Sequence, residues 1–146
     1  MIGLVQRVRE AAVTVDGAIV GAIGPGLLVL VCAEPSDAEA QAAKFVDKLL
    51  KLRIFGDEAG KMNRSVVDVG GGLLIVSQFT LAADVSGGNR PSFAGAARPE
   101  QGRALYERVL ALARERHAPV TAGVFGAAMQ VALVNDGPVT IPLRVV

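Results

Sequence analysis

LLIVSQFTL, residues 73–81, is the stretch on which the predicted fold depends. Its apolar run continues without a turn signal into Ser77, Gln78 and Thr80, which predicts a buried strand ending in hydrogen-bonding side chains. VALVNDGPVT, residues 131–140, repeats the pattern, because an apolar strand runs into an Asn-Asp-Gly-Pro segment and a threonine. An unpaired buried polar group costs about 1–3 kcal/mol, so packing alone does not favour such strand ends. Two of them in one small domain predict a single site built from both.

The composition predicts one soluble domain over residues 1–146. The chain is 51% hydrophobic and 4% aromatic, with no tryptophan, which allows a sizeable aliphatic core. A formal net charge of +1 argues against a general polyanion binder, and we expect no DNA partner. Cys32 is the only cysteine, which excludes an intramolecular disulfide and a zinc site of several thiols. No apolar run reaches the ~20 residues of a membrane helix and no leader pattern is visible, so we expect no membrane partner and a cytoplasmic location.

Turn residues divide the rest of the chain into strands. Asp16-Gly17 separates two strand-like runs and is a strong hairpin signal. The continuous apolar run Leu27–Ala33 is typical of a central strand buried on both faces. Near the end of the chain we expect three more strands, the last at a sheet edge because it contains a proline: Val120–Phe125, Ala127–Val134 and Thr140–Val146.

Two helices are predicted between these strands. Ser36-x-x-Glu39 is a capping-box pattern, and apolar residues then recur at helical spacing through Leu52. Pro99 suits the first turn of a second helix, whose apolar stripe continues to about His117. Strands therefore flank two helices in the order β-rich, α, β, α, β-rich. This order predicts a mixed sheet with the helices on one side.

The residues permit catalysis but offer no strong general base. His117 is the only histidine and sits at a predicted helix end, where a cation is favourable, so a Ser-His-Asp hydrolase is not expected. No pair of carboxylates stands at an apolar strand end, since Asp84 and Asp136 fall in predicted loops. Hydroxyl, amide and backbone groups remain, and these can orient a substrate and stabilise an oxyanion. From the residues alone, a hydrolase, a transferase and a binding pocket for a polar small molecule all stay open.

Motifs along the whole chain point more specifically to one enzyme family. The most specific are SQFTL, residues 77–81, and NDGPVT, residues 135–140, which occur together at a characteristic spacing. Other motifs are Gln6-Arg7-Val8, Gly26-Leu27-Leu28, Arg53-Ile54-Phe55, Gly60-Lys61-Met62-Asn63, Arg90-Pro91-Ser92-Phe93 and Met129-Gln130-Val131. With these motifs the sequence closely resembles the D-aminoacyl-tRNA deacylase family, also called D-tyrosyl-tRNA deacylases.

The resemblance implies a fold, an activity and partners. The fold would be α/β, a three-layer β/β/α sandwich with mixed, barrel-like sheets and two main helices. The activity would be hydrolysis of the ester between a D-amino acid, or glycine, and the 3′-terminal adenosine of tRNA, with rejection of L-aminoacyl-tRNA. The partners would be the acceptor end of charged tRNA and a second copy of the chain, with active sites at the homodimer interface. No cofactor and no metal ion would be needed.

The same resemblance implies roles for individual residues. The catalytic segment would be Ser77, Gln78, Phe79 and Thr80. Gly137 and Pro138, joined by a cis peptide bond, would reach from the partner subunit into the pocket and filter chirality. The supporting residues would be Arg7, which would bond the backbone of that turn, together with Met129, Asn135 and Thr140. Two of these have a simpler explanation, since Arg7 fits an exposed strand arginine and Met129 fits a core residue equally well.

Two mechanisms stay open at this point. The 2′-hydroxyl of the terminal adenosine lies beside the scissile ester and could orient or activate water, and such positioning can be worth about 7–11 kcal/mol. In the alternative, Thr80 attacks the ester, although a threonine hydroxyl needs a base and none is visible. Two further functions also remain: a non-catalytic tRNA-end-binding protein and a hydrolase of free D-aminoacyl esters.

Overall fold

Six strands form the main sheet in the computed structural model, which describes residues 1–146. The strands of the chain are β1 (Ile2–Val15), β2 (Ala18–Ile23), β3 (Gly26–Cys32), β4 (Phe55–Gly56), β5 (Met62–Arg64), β6 (Gly72–Ser77), β7 (Val120–Ala122) and β8 (Gln130–Arg144). The helices are α1 (Glu39–Lys51), α2 (Val66–Val69) and α3 (Pro99–Arg116), and a 3₁₀ turn spans Phe79–Ala82. β4 and β5 form a separate two-stranded hairpin.

β1 is the strand around which the sheet is arranged. One edge of β1 pairs antiparallel with β8 from Ile2 to Thr14. Its other edge pairs first with β3 and then with β2. The predicted hairpin is present, and Asp16 and Gly17 have φ angles of 49° and 79°, the left-handed pair that such tight turns require. β3, β6 and β7 continue the sheet as parallel neighbours, so β3 is central as predicted.

The sheet curls until β2 packs over β6 and β7, which makes it barrel-like. Gly21 permits this approach, since a Cβ there would lie 2.7 Å from the carbonyl oxygen of Ala122. Alternation along β3 and β6 then fills two cores. Leu27 and Leu73 face α1 and α3 in the larger core, whereas Leu28 and Leu74 face the curled sheet in the smaller one. The predicted α/β architecture with three layers and helices on one side is therefore confirmed.

The first helix begins differently from the prediction. Ser36 and Glu39 do not form a capping box; the N-cap is Ala38, whose N–H donates to Oε1 of Gln41 at 2.8 Å. Asp37 is buried instead, where it accepts a 2.9 Å hydrogen bond from the ammonium group of Met1. A tertiary ion pair thus takes the place of the expected local cap. None of the helices is both long and apolar enough to cross a membrane.

The second helix and the last strands both depart little from the expected order. α3 starts at Pro99 as predicted, and His117 ends it, with Nε2 2.6 Å from the carbonyl oxygen of Gly71. β7 stops at Ala122 and not at Phe125, and β8 starts only at Gln130, so the predicted strand ends over residues 123–129 are wrong. β8 extends to Arg144 and pairs with β1 alone, which confirms an edge strand. Its pairing skips residues 136–139, which form a turn between the paired residues Asn135 and Thr140, so the last two predicted strands are one interrupted strand.

Candidate active site

A cavity of about 560 Å³ opens at the carboxyl ends of β3 and β6. These strands are parallel, with Val31 opposite Ser77, so their ends meet at one edge of the sheet, where α/β folds commonly bind ligands. Most of the wall is apolar. It is lined by Val31, Cys32, Ala33, Val76, Ser77, Gln78, Phe79, Phe93, Ala96, Ala97, Pro99, Gly102, Phe125, Gly126, Ala127, Met129 and Val131.

Three of the four predicted catalytic residues lie in this wall. β6 ends at Ser77, and the N–H of Gln78 donates to the carbonyl oxygen of Val31 at 2.8 Å. The chain then enters the 3₁₀ turn Phe79–Ala82, so the prediction of one strand through Thr80 is wrong. The first N–H groups of a helical turn have no partner within the turn, so those of Phe79 and Thr80 remain available for a bound group.

Thr80 does not line the cavity, although it is tied to a residue that does. The Gln78 amide nitrogen donates a short hydrogen bond to the Thr80 hydroxyl oxygen, and Thr80 is exposed. No aspartate, glutamate or histidine belongs to the cavity wall. A base that could take the proton of the Thr80 hydroxyl is therefore absent from the wall.

Two aromatic side chains stand at the cavity with much of their surface exposed. The rings of Phe79 and Phe93 meet edge to face at 5.1 Å and are 56% and 39% exposed. Exposed aromatic rings are typical stacking surfaces for unpaired bases. Phe93 was predicted only as the last residue of the motif Arg90-Pro91-Ser92-Phe93, with no role in the site. The signal that could have found it is an aromatic residue within a long polar loop of a chain with few aromatics.

A third aromatic residue, Phe125, was missed because it was assigned to a strand. Its ring packs 6.0 Å from the ring of Tyr106, and the guanidinium carbon of Arg103 lies 4.7 Å from its centroid. Gly102 lies beside the ring, since a Cβ there would make an ordinary van der Waals contact with Phe125 at 3.7 Å. Tyr106 itself donates to the carbonyl oxygen of Ile75 at 2.7 Å, and burial raises the pKa of its hydroxyl to about 12.

Cys32 contributes a thiol to the wall but not a strong nucleophile. The side chain is 3% exposed, and Sγ donates to the carbonyl oxygens of Ala33 and Phe79 at 3.3 and 3.6 Å. Burial, with a smaller contribution from Glu34, raises the pKa of the thiol above its usual value. The neutral thiol therefore predominates near pH 7, and the thiolate is the reactive form.

Met129 belongs both to the cavity wall and to the smaller core. Its side chain lines the cavity and packs against the core between the curled parts of the sheet. Sδ accepts a hydrogen bond from the N–H of Val124 at 3.4 Å, and a Cβ on Gly123 would come within 2.6 Å of it. The loop that replaces the predicted strand is thus shaped around this side chain.

The second predicted polar segment lies elsewhere in the same chain. Gly137 and Pro138 are exposed, joined by a cis bond as the resemblance implied, and neither lines the cavity. Val131, which does line it, is six residues earlier on β8, a separation of roughly 20 Å along a strand. One chain therefore does not bring the two segments into one site.

Hydrogen bonds from three predicted supporting residues brace this segment. Arg7 donates through Nη1 to the carbonyl oxygen of Ile54 at 2.7 Å and through Nε to that of Asp136 at 3.1 Å. Its side chain is only 16% exposed, so it is not an ordinary solvated strand arginine. The Asn135 amide donates to the carbonyl oxygens of Arg7 and Val139, and Thr140 donates to Asn135 at 3.4 Å.

No cluster of three or more histidine, cysteine, aspartate or glutamate side chains is placed to hold a metal ion. Asp57, which follows β4, accepts hydrogen bonds from the N–H groups of Ala59 and Lys61. These bonds, with one from Asn63, lower the pKa of its carboxyl. The carboxylate therefore stabilises its own turn.

Comparisons with known proteins agree over almost the whole chain. The family described as D-Tyr-tRNA(Tyr) deacylase matches residues 4–144. D-aminoacyl-tRNA deacylase from Methylibium petroleiphilum is 74% identical over 145 residues, covering 99% of this chain and 95% of that protein. The enzyme of the same name from Paracidovorax citrulli is 68% identical and covers 99% of this chain and 94% of that protein.

Two solved structures have the same fold. The c-Myc DNA Unwinding Element Binding Protein superposes with a TM-score of 0.94 at 43% identity, covering 99% of both chains. A probable eukaryotic D-amino acid tRNA deacylase superposes with a TM-score of 0.83 and covers 97% of both chains. Its identity of 20% makes the second likeness one of fold alone.

Proposed function

This chain belongs to the D-aminoacyl-tRNA deacylase family, and we propose that it hydrolyses the ester between a D-amino acid, or glycine, and the 3′-terminal adenosine of tRNA. The observation that carries the proposal is the cavity of about 560 Å³ at the polar end of β6. Its size is within the range of small-molecule sites, and its apolar wall with a few polar groups suits an aminoacyl-adenosine. Such an enzyme would act in the cytoplasm, where charged tRNA is used.

Ser77, Gln78 and Phe79 are proposed to hold the reacting end of the substrate. The free N–H groups at the start of the 3₁₀ turn would stabilise the oxyanion that forms as water attacks the ester. The side chains of Ser77 and Gln78 would orient the ester, and the ring of Phe79 would support the terminal nucleotide. Met129 would contact the adenine from the opposite wall, a role compatible with its place in the smaller core.

The source of catalytic assistance is proposed to be the substrate. No carboxylate or imidazole lines the cavity, and the Thr80 hydroxyl oxygen accepts a bond from Gln78. The adjacent 2′-hydroxyl of the tRNA can position water without any protein base. Replacing that hydroxyl with hydrogen should lower the single-turnover rate at least about 1000-fold, a loss within the range of positioning effects. A near-normal rate, or a trapped aminoacyl ester on Thr80, would support covalent catalysis instead.

A second copy of the chain is proposed to complete the site. Gly137 and Pro138 project from an edge strand, do not line the cavity at the β6 end of their own chain, and are braced by Arg7. Such a braced and exposed turn is suited to entering the cavity of a partner. The homodimer would then carry two equivalent sites, each built from the β6 end of one subunit and the turn of the other.

The turn is proposed to exclude L-amino acids instead of recognising D-side chains. Pro138 has no N–H and a fixed φ, and Gly137, at φ 132°, lacks the Cβ that would hinder close approach of its carbonyl group to the substrate. A backbone wall of this kind rejects a side chain on one face of the α-carbon whatever its identity. Several D-amino acids and glycine would therefore be accepted alike.

The experiment that tests the function is deacylation of matched D- and L-aminoacyl-tRNAs and glycyl-tRNA by the purified protein. We expect several D-aminoacyl-tRNAs and glycyl-tRNA to be cleaved at comparable rates while the L-forms stay intact. Binding without release of amino acid would identify a non-catalytic tRNA-end-binding protein. Equal cleavage of free D-aminoacyl esters and charged tRNA would identify a small-molecule esterase.

A further inference from the structure

Two arginines flank the part of α3 that forms the cavity wall. Pro99 and Gly102 line the cavity at the start of this helix. Arg98 is the N-cap residue directly before Pro99, and Arg103 directly follows Gly102, so each arginine adjoins a residue of the cavity wall. Both arginines therefore stand at the rim of the cavity and not on the buried face of the helix.

Arg103 is held at the rim by the ring of Phe125. The guanidinium carbon lies 4.7 Å from the centroid of this ring, which lines the cavity. Its nearest carboxylate is Glu107, one turn along the helix, at 4.0 Å, and both side chains are more than half exposed. Exposed pairs at such a distance are weak, so the guanidinium keeps donors free for another anion.

Arg98 is also exposed and has no ion pair. Its side chain makes no salt bridge or hydrogen bond, and only its carbonyl oxygen is used, by the N–H of Gly102. The acidic groups beyond the end of β3 are already paired. Asp37 and Glu34 accept from the Met1 ammonium, and Glu34 also pairs with Arg144.

We propose that Arg98 and Arg103 bind phosphates of the single-stranded acceptor end of tRNA as it enters the cavity. The inference rests on the proposed function and adds the residues that recognise the polynucleotide. Guanidinium groups bind phosphate with planar, charge-assisted hydrogen bonds. Local placement of two such groups explains how a chain with a net charge of only +1 can hold a polyanion at one point.

The test compares a D-aminoacyl-tRNA with the corresponding D-aminoacyl-adenosine, which has the same ester but no phosphates. Arg98→Gln and Arg103→Gln should each raise KM for the tRNA by roughly threefold to tenfold at physiological salt with kcat unchanged. The double variant should also lose salt dependence, by about 0.7 in the logarithmic slope for each phosphate contact removed. Kinetics on the adenosine substrate should not change, and Arg103→Lys should retain most of the binding.

Arg114→Gln is the matched control. Arg114 is an exposed arginine on the same face of α3 as Arg103 but about 16 Å along the helix, near the end that His117 fixes to Gly71. It should leave KM for the tRNA unchanged. An equal effect of Arg114→Gln, or unaltered KM in the double variant, would overturn the inference and leave the proposed function intact.

An increase in KM for both substrates would also overturn it, since it would mean that Arg103 acts only by positioning Phe125. If the unmodified protein cleaves neither substrate, the proposed function itself fails and the inference fails with it. Melting temperatures of all variants should match that of the unmodified protein, because both side chains are exposed.

Discussion

The end of β6 and the turn at Gly137-Pro138 are both polar segments that follow apolar strand residues. They differ in shape, because the first opens into a cavity and the second protrudes from the surface. β6 lies between parallel neighbours, and its end opens into a cavity beneath α3. The turn interrupts an edge strand, is exposed, and has hydrogen bonds directed back into its own chain. We call the cavity at the end of β6 the receptacle and the exposed turn at Gly137-Pro138 the projection. The difference shows how a small chain can present two halves of a site without joining them itself.

The largest expected effect comes from two separate variants, one with a substitution in the cavity and the other with a substitution in the turn. Gln78→Ala affects the cavity, and Gly137→Ala places a Cβ 2.8 Å from a Val139 methyl at φ 132°, which should distort the turn. Each variant alone should lose at least about 100-fold in kcat/KM for D-aminoacyl-tRNA, the cost of small displacements at a reacting centre. In Gln78→Ala the cavity itself changes, and in Gly137→Ala the distorted turn would obstruct the partner cavity that it enters. Co-expressed in equal amounts, they should regain roughly a quarter of normal activity, because half the dimers are mixed and each has one intact site.

Heterodimer content must be measured by mass spectrometry in the same samples. Full mixing without recovery would mean that the two halves do not meet across subunits. If light scattering showed that the protein is a monomer and this monomer were fully active, the proposed site between subunits would likewise be ruled out.

Arg7→Lys tests whether the projection depends on its brace. Arg7 donates to the carbonyl oxygens of Ile54 and Asp136 from different nitrogens, and a single ammonium cannot reproduce that geometry. We expect cleavage of L-aminoacyl-tRNA to rise about tenfold, with cleavage of the D-form changed less than about threefold, in line with the loss of one charge-assisted hydrogen bond. Arg9→Lys, at an exposed position on the same strand, is the control. Unchanged L-rejection would show that the turn keeps its position without Arg7.

Met129→Ala tests the receptacle in the same way. The side chain lines the cavity and also packs on the smaller core, so both KM and stability should respond. We expect KM for charged tRNA to rise roughly fivefold, as expected when one apolar wall contact is lost. Leu133→Ala is the matched control, because Leu133 packs on the same core without lining the cavity. A lower melting temperature with unchanged KM in both variants would assign Met129 to the core alone.

The smallest expected effect concerns the hydrogen bond that holds β6 next to the cavity. Tyr106, the only tyrosine, donates to Ile75 two residues before Ser77. Its pKa is raised from 10.0 to about 12 by burial, so the folded state favours the neutral phenol. That stability is fully present below pH 10 and is lost as the pH rises towards 12. Tyr106→Phe should cost about 1 kcal/mol near neutral pH and flatten the alkaline decline of the unfolding free energy. An alkaline decline as steep as that of the unmodified protein would contradict this assignment.

Local patterns predicted the hairpin, the central strand and α3, because each depends on turn residues, apolar runs or helical spacing within a few neighbours. The start of α1 was missed because Asp37 is held by Met1, a contact that no local pattern contains. The segment around Phe125 was mistaken for a strand because an apolar run looks the same in a sheet and in a cavity wall. The roles of Gly137 and Pro138 came only from resemblance, since nothing in their spacing says which surface they meet.

The pairing of β1 with β8 also determines when this protein can fold. Ile2 of β1 pairs with Arg144 of β8, so β1 cannot complete its pairing until the far end of β8 is available. During synthesis, one edge of the first strand has no partner until the final strand leaves the ribosome. Closure of so distant a contact slows folding of the finished chain. A truncation that removes β8 would leave a long strand edge free to pair with other chains and aggregate.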